Sequence, residues 1–238
     1  LSMGVFDHVY WLKENYTWET MPTRAADLYT PLYFMLPMLA FRIVLESVVG
    51  VGIGCVLGYG QGTYWQQMTR HFFGGFAADT RAKRVLETFW RFFFYTCAFA
   101  YGLHIMRKKA WLHDVNQCWI GYPTHTVDED VWFYYMAELT FYYSLLASSV
   151  FDARRSDFWE LIFHHIVTIG LLSVSYAINF VRVGTLVLLS HDAADVFLEF
   201  GKLVRYDKKK KMATNVCFGV FLLVWIVTRL GYFPFVII

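Results

Sequence analysis

At 238 residues, with 57% hydrophobic and 20% aromatic side chains against only 17% charged ones, the chain is too apolar for a soluble domain of its size and reads as a membrane protein. Its net charge of +2 gives no basis for nucleic-acid binding, because in such a chain the placement of Lys and Arg between spans matters more than their sum. The four cysteines, Cys55, Cys97, Cys118 and Cys217, show no CxxC spacing and three fall in apolar runs, so neither a disulfide framework nor a zinc site is indicated.

In chain order, VYWLKENYTW (9–18) interleaves large aromatics with charges, as expected of a segment at the membrane interface. It contains Asn15-Tyr16-Thr17, a glycosylation sequon usable only on the lumenal side. The opening residues lack a basic flank and apolar core, so the first span is expected to act as its own signal anchor. Six apolar segments follow near 32–57, 87–106, 131–151, 158–178, 182–204 and 212–233, each long enough to cross about 30 Å of hydrocarbon as a helix. The fifth is the least apolar, holding His191, Asp192, Asp195 and Glu199, but Arg182 and Lys202 suit its ends and neighbours can bury its polar face. The fold class expected is an all-α, polytopic transmembrane bundle. It comprises an N-terminal lumenal or interfacial segment (1–31), a first transmembrane helix (32–57), a cytosolic connection (58–86) and a helical membrane domain (87–238).

Placing the N-terminus in the lumen puts Arg70, Arg81, Lys83, Arg84, Arg154, Arg155, Arg205 and Lys208 to Lys211 inside. Only Lys13, Arg24, Arg107, Lys108 and Lys109 remain opposite. This orientation agrees with a usable Asn15. Other features have plain readings. The glycines between Gly50 and Gly62 follow no strand and suit close helix packing rather than a dinucleotide fold. Arg42 and Glu46, four apart, can neutralise one another on one helix face. The aromatic runs at 92–95 and 132–143 read as lipid-facing or packing surface.

The chemistry concentrates in 157–202. Spans four and five are joined by a few residues around Asn179 to Arg182, which makes an antiparallel hairpin. Matching depths about residue 180 puts His165 across from Asp195 and Thr168 across from Asp192, with His164 about 9 Å inside the cytosolic end. Asp192, Asp195, Glu199 and Lys202 share one helix face, and Glu160, His164 and Thr168 another, so two polar stripes can line one cavity. Three readings remain open. The groups can glue helices together through hydrogen bonds. They can bind a metal, although only His164 and His165 of the eight histidines are clustered. Or they can perform acid-base or nucleophilic chemistry on an amphiphile, since a neutral His held by a carboxylate is a good base near pH 7.

The order D-F-x-E, H-H, T, S-Y, N, R-x-G-T, H-D-x-x-D, L-E and K from Asp157 to Lys202 resembles the Lag motif of ceramide synthases, within the TLC-domain superfamily. The similarity extends to WLKENYTW near the start, WRFFFY at 90–95, CWIGYP at 118–123 and TRLGYFP at 228–234. It implies an endoplasmic-reticulum enzyme that transfers an acyl group from acyl-CoA to a sphingoid base, giving dihydroceramide or ceramide. Acyl-CoA is then a co-substrate, no cofactor or metal is implied, and a homo- or hetero-dimer within the membrane lipid is an expected partner state. The family's essential histidines fall on His164 and His165 and its essential aspartates on Asp192 and Asp195. No homeobox-like insert separates the first two spans, and the resemblance leads us to expect at least one further span and a cytosolic tail after Ile238.

On this basis His164 or His165, oriented by Asp195 or Asp192, accepts a proton from the amine or attacks the thioester to form an acyl-imidazole, with His164 preferred. Thr168, Ser175 and Tyr176 are candidate oxyanion donors, and Asn179, His191 and Glu199 further substrate or cavity residues. Arg154, Arg155, Lys208 and Lys209 are candidates for the phosphates of coenzyme A. The competing class is a non-enzymatic TLC-domain protein that binds or senses lipid.

Overall fold

The computed structural model describes residue 11 and residues 16–56, 62–78, 80–207 and 211–237. All regular structure among the described residues is helical. Helix α1 (Thr30–Leu45) runs through a π-helical stretch (Glu46–Gly50) into α2 (Val51–Val56), and α3 (Tyr64–Phe72) is a short connecting helix. Then come α4 (Arg81–Met106), α5 (Ala110–His113), α6 (Glu129–Ser148), α7 (Phe158–Ala177), α8 (Val181–Arg205) and α9 (Lys211–Trp225), the last prolonged by a π-helical stretch (Ile226–Ile237).

The six long runs coincide with the six apolar segments, and the chain is a multi-pass membrane protein. Three runs are both long and apolar enough to cross a membrane: Ala25–Val56, Phe158–Ala177 and Lys211–Ile237. Helices α4, α6 and α8 have the length, at 26, 20 and 25 residues, but are less apolar, α4 and α8 through their charges and α6 through its tyrosines.

Local chemistry sets the boundaries. Thr63 and Gln66 cap α3 reciprocally, the Gln66 amide donating to Thr63 Oγ1 at 3.4 Å and the Thr63 amide to Gln66 Oε1 at 3.1 Å. Thr80 caps α4 by accepting from the Lys83 amide at 3.1 Å, which starts that helix six residues before the expected 87. The turn between α7 and α8 is made by Asn179 at φ 55°, a left-handed conformation that Asn tolerates. The Asn179 amide nitrogen donates to the carbonyls of Pro123 at 2.6 Å and His125 at 2.8 Å, which fixes the turn against the α5–α6 connection.

The early start of α4 has a physical reason. Lys83 is buried in an ionic network with Glu46 (3.7 Å), Asp152 (3.7 Å) and Glu87 (3.8 Å). Arg42 completes it, its guanidinium donating to Glu46 at 2.7 Å, Asp152 at 2.6 Å and Ser148 at 2.8 Å. The expected Arg42–Glu46 pair is therefore one edge of a larger cluster. That cluster ties α1 and α4 to the connection between α6 and α7, and we refer to it as the Asp152 end of the bundle. The opposite extremity is the Asn179 end.

Between these ends lies an aromatic core. Phe94 and Phe141 stack at 3.6 Å between centroids, with Trp90 and Tyr95 around them, so α4 and α6 are locked face to face. Helix α8 packs chiefly on α4 and α9, while α7 packs chiefly on α6. The α7–α8 hairpin is present, but its two arms lean more on other helices than on each other.

Candidate active site

The site is organised by α6, whose Tyr134, Glu138 and Tyr142 recur every fourth residue on one buried face. Tyr134 donates its hydroxyl to Asp192 of α8 at 2.8 Å. Glu138 is fully buried in the same neighbourhood, its carboxyl hydrogen-bonded to that of Asp192 and close to Asp195. Tyr142 lies 6.4 Å from the His164 ring and 6.2 Å from the His165 ring, and the two imidazoles are 5.9 Å apart. One helix thus meets the aspartate of α8 at one level and the histidine pair of α7 at another. The glutamate stands between.

Each carboxylate of α8 has its own partner from a different helix. Asp192 is held by Tyr134, and Asp195 accepts from Arg229 of the C-terminal π-helical stretch at 3.2 Å. Glu199 accepts from Arg91 of α4 at 3.4 Å and from Lys202 at 2.5 Å. Among the described residues no hydrogen bond joins either histidine to either aspartate, and His165 Nδ1 is buried without a partner. The pairing of His165 with Asp195 and of Thr168 with Asp192 across the hairpin is thus replaced by bridging through α6 and Arg229. The reason is the packing of α7 against α6 rather than flat against α8.

Among the described residues, two shallow clefts lie at the Asn179 end and include none of His164, His165, Asp192 or Asp195. The histidine site opens instead on the outer face of α7, where His164 is exposed and His165 half-buried.

The remaining candidates separate by position. Thr168 is half-buried one turn beyond His164. Ser175 is hydrogen-bonded to the Tyr135 hydroxyl, and the Tyr176 hydroxyl donates to Asp27. With Asn179 they hold the Asn179 end together, roughly 16 Å along α7 from His164. His191 engages its own helix through Nδ1 and the Val187 carbonyl at 2.8 Å, its ring 6.0 Å from Phe233. Arg155 lies 3.6 Å from Glu87 and donates to Thr88 at 3.3 Å, and exposed Arg154 lies over the Phe158 ring at 5.3 Å. Lys208, Lys209 and Asn15 are outside the described residues.

At the Asn179 end the connecting residues carry their own electrostatics. Burial, followed by the nearby Arg182 guanidinium, pushes the His125 imidazole down to about 4. Burial works against the Lys109 ammonium, but hydrogen bonds to Asp128 at 2.7 Å and Asp130 at 2.9 Å hold it above its ordinary value.

Tyr134, Glu138, Tyr142, Arg91 and Arg229 were not singled out from the sequence. A signal existed for three of them. Glu138 is the one charged residue between 131 and 151, and tyrosines four residues to either side share its helix face.

Comparison with known proteins places the chain. The TLC domain family matches residues 84–238. Ceramide synthase hyl-1 of Caenorhabditis elegans is 52% identical over 254 residues, an alignment covering 99% of this chain and 66% of that protein. Ceramide synthase hyl-2 of the same organism is 33% identical, covering 98% of this chain and 72% of its own length. Human ceramide synthase 5 is 44% identical over 149 residues, covering 63% of this chain and 38% of that protein. The chain thus spans about two thirds or less of the length of two of these three relatives. Its motif from Asp157 to Lys202 and its similarity to the two Caenorhabditis elegans relatives over almost all of its residues lead to one conclusion: the chain belongs to the ceramide synthase family and carries that family's TLC domain.

Proposed function

We propose that this protein N-acylates a sphingoid base with acyl-CoA, giving dihydroceramide or ceramide, at the His164–His165 site in the cytosolic half of the membrane. The observation that carries the proposal is the meeting of the histidine pair and the carboxylates Glu138, Asp192 and Asp195 around one face of α6, in a chain similar to ceramide synthases.

The long-chain amine arrives as an ammonium. His164 accepts one proton from it, and the freed lone pair attacks the thioester carbonyl. The resulting nitrogen loses a second proton, the C–S bond breaks, and coenzyme A leaves as a thiol after taking one proton. The sum is one amide, one thiol and one released proton. Tyr142, whose ring flanks both imidazoles, is a donor for the oxyanion, a role the sequence alone assigned to Thr168, Ser175 or Tyr176. A covalent variant, in which His164 first takes the acyl group, uses the same residues.

The N-terminus faces the lumen of the endoplasmic reticulum, and coenzyme A stays on the cytosolic side near Arg154 and Arg155. Mass spectrometry of the purified full-length protein mixed with acyl-CoA alone separates the two routes. An acyl adduct on His164 establishes the covalent one, whereas no adduct under these conditions, with amide formed once the amine is added, establishes direct attack.

A further inference from the structure

We propose that α3 is a membrane-surface helix, whose edge of Trp65, Phe72 and Phe73 sits in the boundary between lipid headgroups and acyl chains at the Asp152 end of the bundle.

The helix has three faces. Tyr64, Gln67 and His71, at i, i+3 and i+7, form the first, and each is bonded to the first membrane run. The Tyr64 hydroxyl donates to the Val48 carbonyl at 3.2 Å, the Gln67 amide donates to Cys55 Sγ at 3.2 Å, and His71 Nδ1 lies 2.8 Å from Ser47 Oγ. His71 Nε2 is also 3.4 Å from a carboxylate oxygen of Glu46, which joins α3 to the buried ionic network. Held at three points along one face, the helix cannot roll. The opposite face is therefore fixed outward, and it is apolar. Trp65 is 68% exposed, Phe72 43% and Phe73, at the helix end, 82%. Thr69 lies among them, but its hydroxyl donates to the Trp65 carbonyl at 2.7 Å and so needs no partner from outside. The third face is polar, with Gln66 and Arg70 exposed.

Lipid is the surface that fits this edge. Helix α3 comes next in the chain after Ala25–Val56, a run long and apolar enough to cross a membrane, on which Val49, Ile53 and Val56 are exposed as well. Its bonds to Glu46, Ser47 and Val48 put it beside the ionic network. The Phe76 ring, just beyond the helix, lies 5.8 Å from that of Phe151 in the α6–α7 connection. That is the level at which spans leave the hydrocarbon, where Trp anchors concentrate and in-plane helices bury their apolar face about 5–10 Å deep. With one arginine and no carboxylate in Tyr64–Phe72, attraction to anionic headgroups adds little, and the contact is apolar.

Trp65 is its own reporter. Full-length protein in phosphatidylcholine nanodiscs is compared with Trp65→Phe, and the difference in emission isolates that one indole. Lipid brominated near the top of its acyl chains is expected to cut this share by about half or more, as burial at the headgroup–acyl boundary requires. Lipid brominated near the chain ends cuts it less, and aqueous iodide barely at all. Mixing phosphatidylserine into the disc leaves the pattern unchanged. Phe73→Trp puts a second reporter on the same edge and gives the same order of quenching; compared with wild type, it serves if Trp65→Phe does not fold. Quenching by iodide and not by brominated lipid would put the edge in water and overturn the assignment. Protection from both quenchers also overturns it, because a protein surface then covers Trp65. So does lipid quenching that appears only with phosphatidylserine, which would make charge rather than apolar contact the cause.

Discussion

Asp192 is buried and accepts one hydroxyl hydrogen bond, from Tyr134 at 2.8 Å. Tyr134→Phe removes that donor, and a hydrogen bond to a charged group is worth about 1.5–3 kcal/mol. Steady-state kinetics are therefore expected to show kcat reduced by roughly 10- to 100-fold with the KM for acyl-CoA unchanged; a kcat equal to wild type would remove Asp192 from the reaction. His125 supplies a pH test outside the spans. Its imidazole is held down to about 4 in the folded protein, against 6.5 when solvated, so it folds neutral and takes up a proton on unfolding. Its contribution to stability is complete above pH 6.5 and is lost as pH falls toward 4, at up to about 1.4 kcal/mol per unit. Melting curves in detergent across that interval should fall more steeply for wild type than for His125→Phe, and parallel curves would refute the assignment. At this scale the sequence was legible where polar groups are crowded. His164, His165, Asp192 and Asp195 stand out because ionisable groups are rare in apolar segments. Glu138 did not, because it is a single carboxylate among tyrosines and its acidic neighbours, Asp192 and Asp195, lie on another helix.

Helix positions followed from apolar length, since a run of about 20 residues has few alternatives in a bilayer. Helix partners did not. The short connection at Asn179 implied that α7 and α8 pack along their lengths, yet α8 leans on α4 and α9, and glycines of α4 and α8 let α6 approach both. At Gly102 of α4 an added Cβ would lie 2.9 Å from the Tyr134 ring, and at Gly184 of α8 it would lie 2.5 Å from the Tyr135 hydroxyl. Such approaches depend on which faces meet, which spacing alone does not specify. Gly184→Ala is expected to cost about 1–3 kcal/mol by overpacking. Gly170→Ala, where nothing lies within 4 Å, should leave the melting temperature unchanged or raise it slightly through helix propensity. A Gly184→Ala protein as stable as wild type would contradict this packing of α6 against α8.

Over the whole molecule, the buried network at the Asp152 end joins the first membrane helix to the residues that lead into α7. Arg42→Met leaves Glu46 and Asp152 without their closest cation, and breaking a buried pair of this kind costs about 3–5 kcal/mol. Lower yield and melting temperature with an unchanged KM in the surviving fraction is the expected pattern. The arginine and glutamate were visible as a helical pair, but their third partner, Asp152, is 110 residues away and became apparent only in the fold. Orientation has its own check: Asn15→Gln should abolish an endoglycosidase-sensitive mobility shift if the N-terminus is lumenal, and a protein never glycosylated at Asn15 would withdraw support for it. Amide formation from acyl-CoA and a long-chain amine by the purified full-length protein, with His164→Ala alongside, tests His164 catalysis most directly. Wild type is expected to form amide and the variant at least about 100-fold less, the scale of a lost general base or nucleophile; a His164→Ala protein that acylates at the wild-type rate would contradict this role.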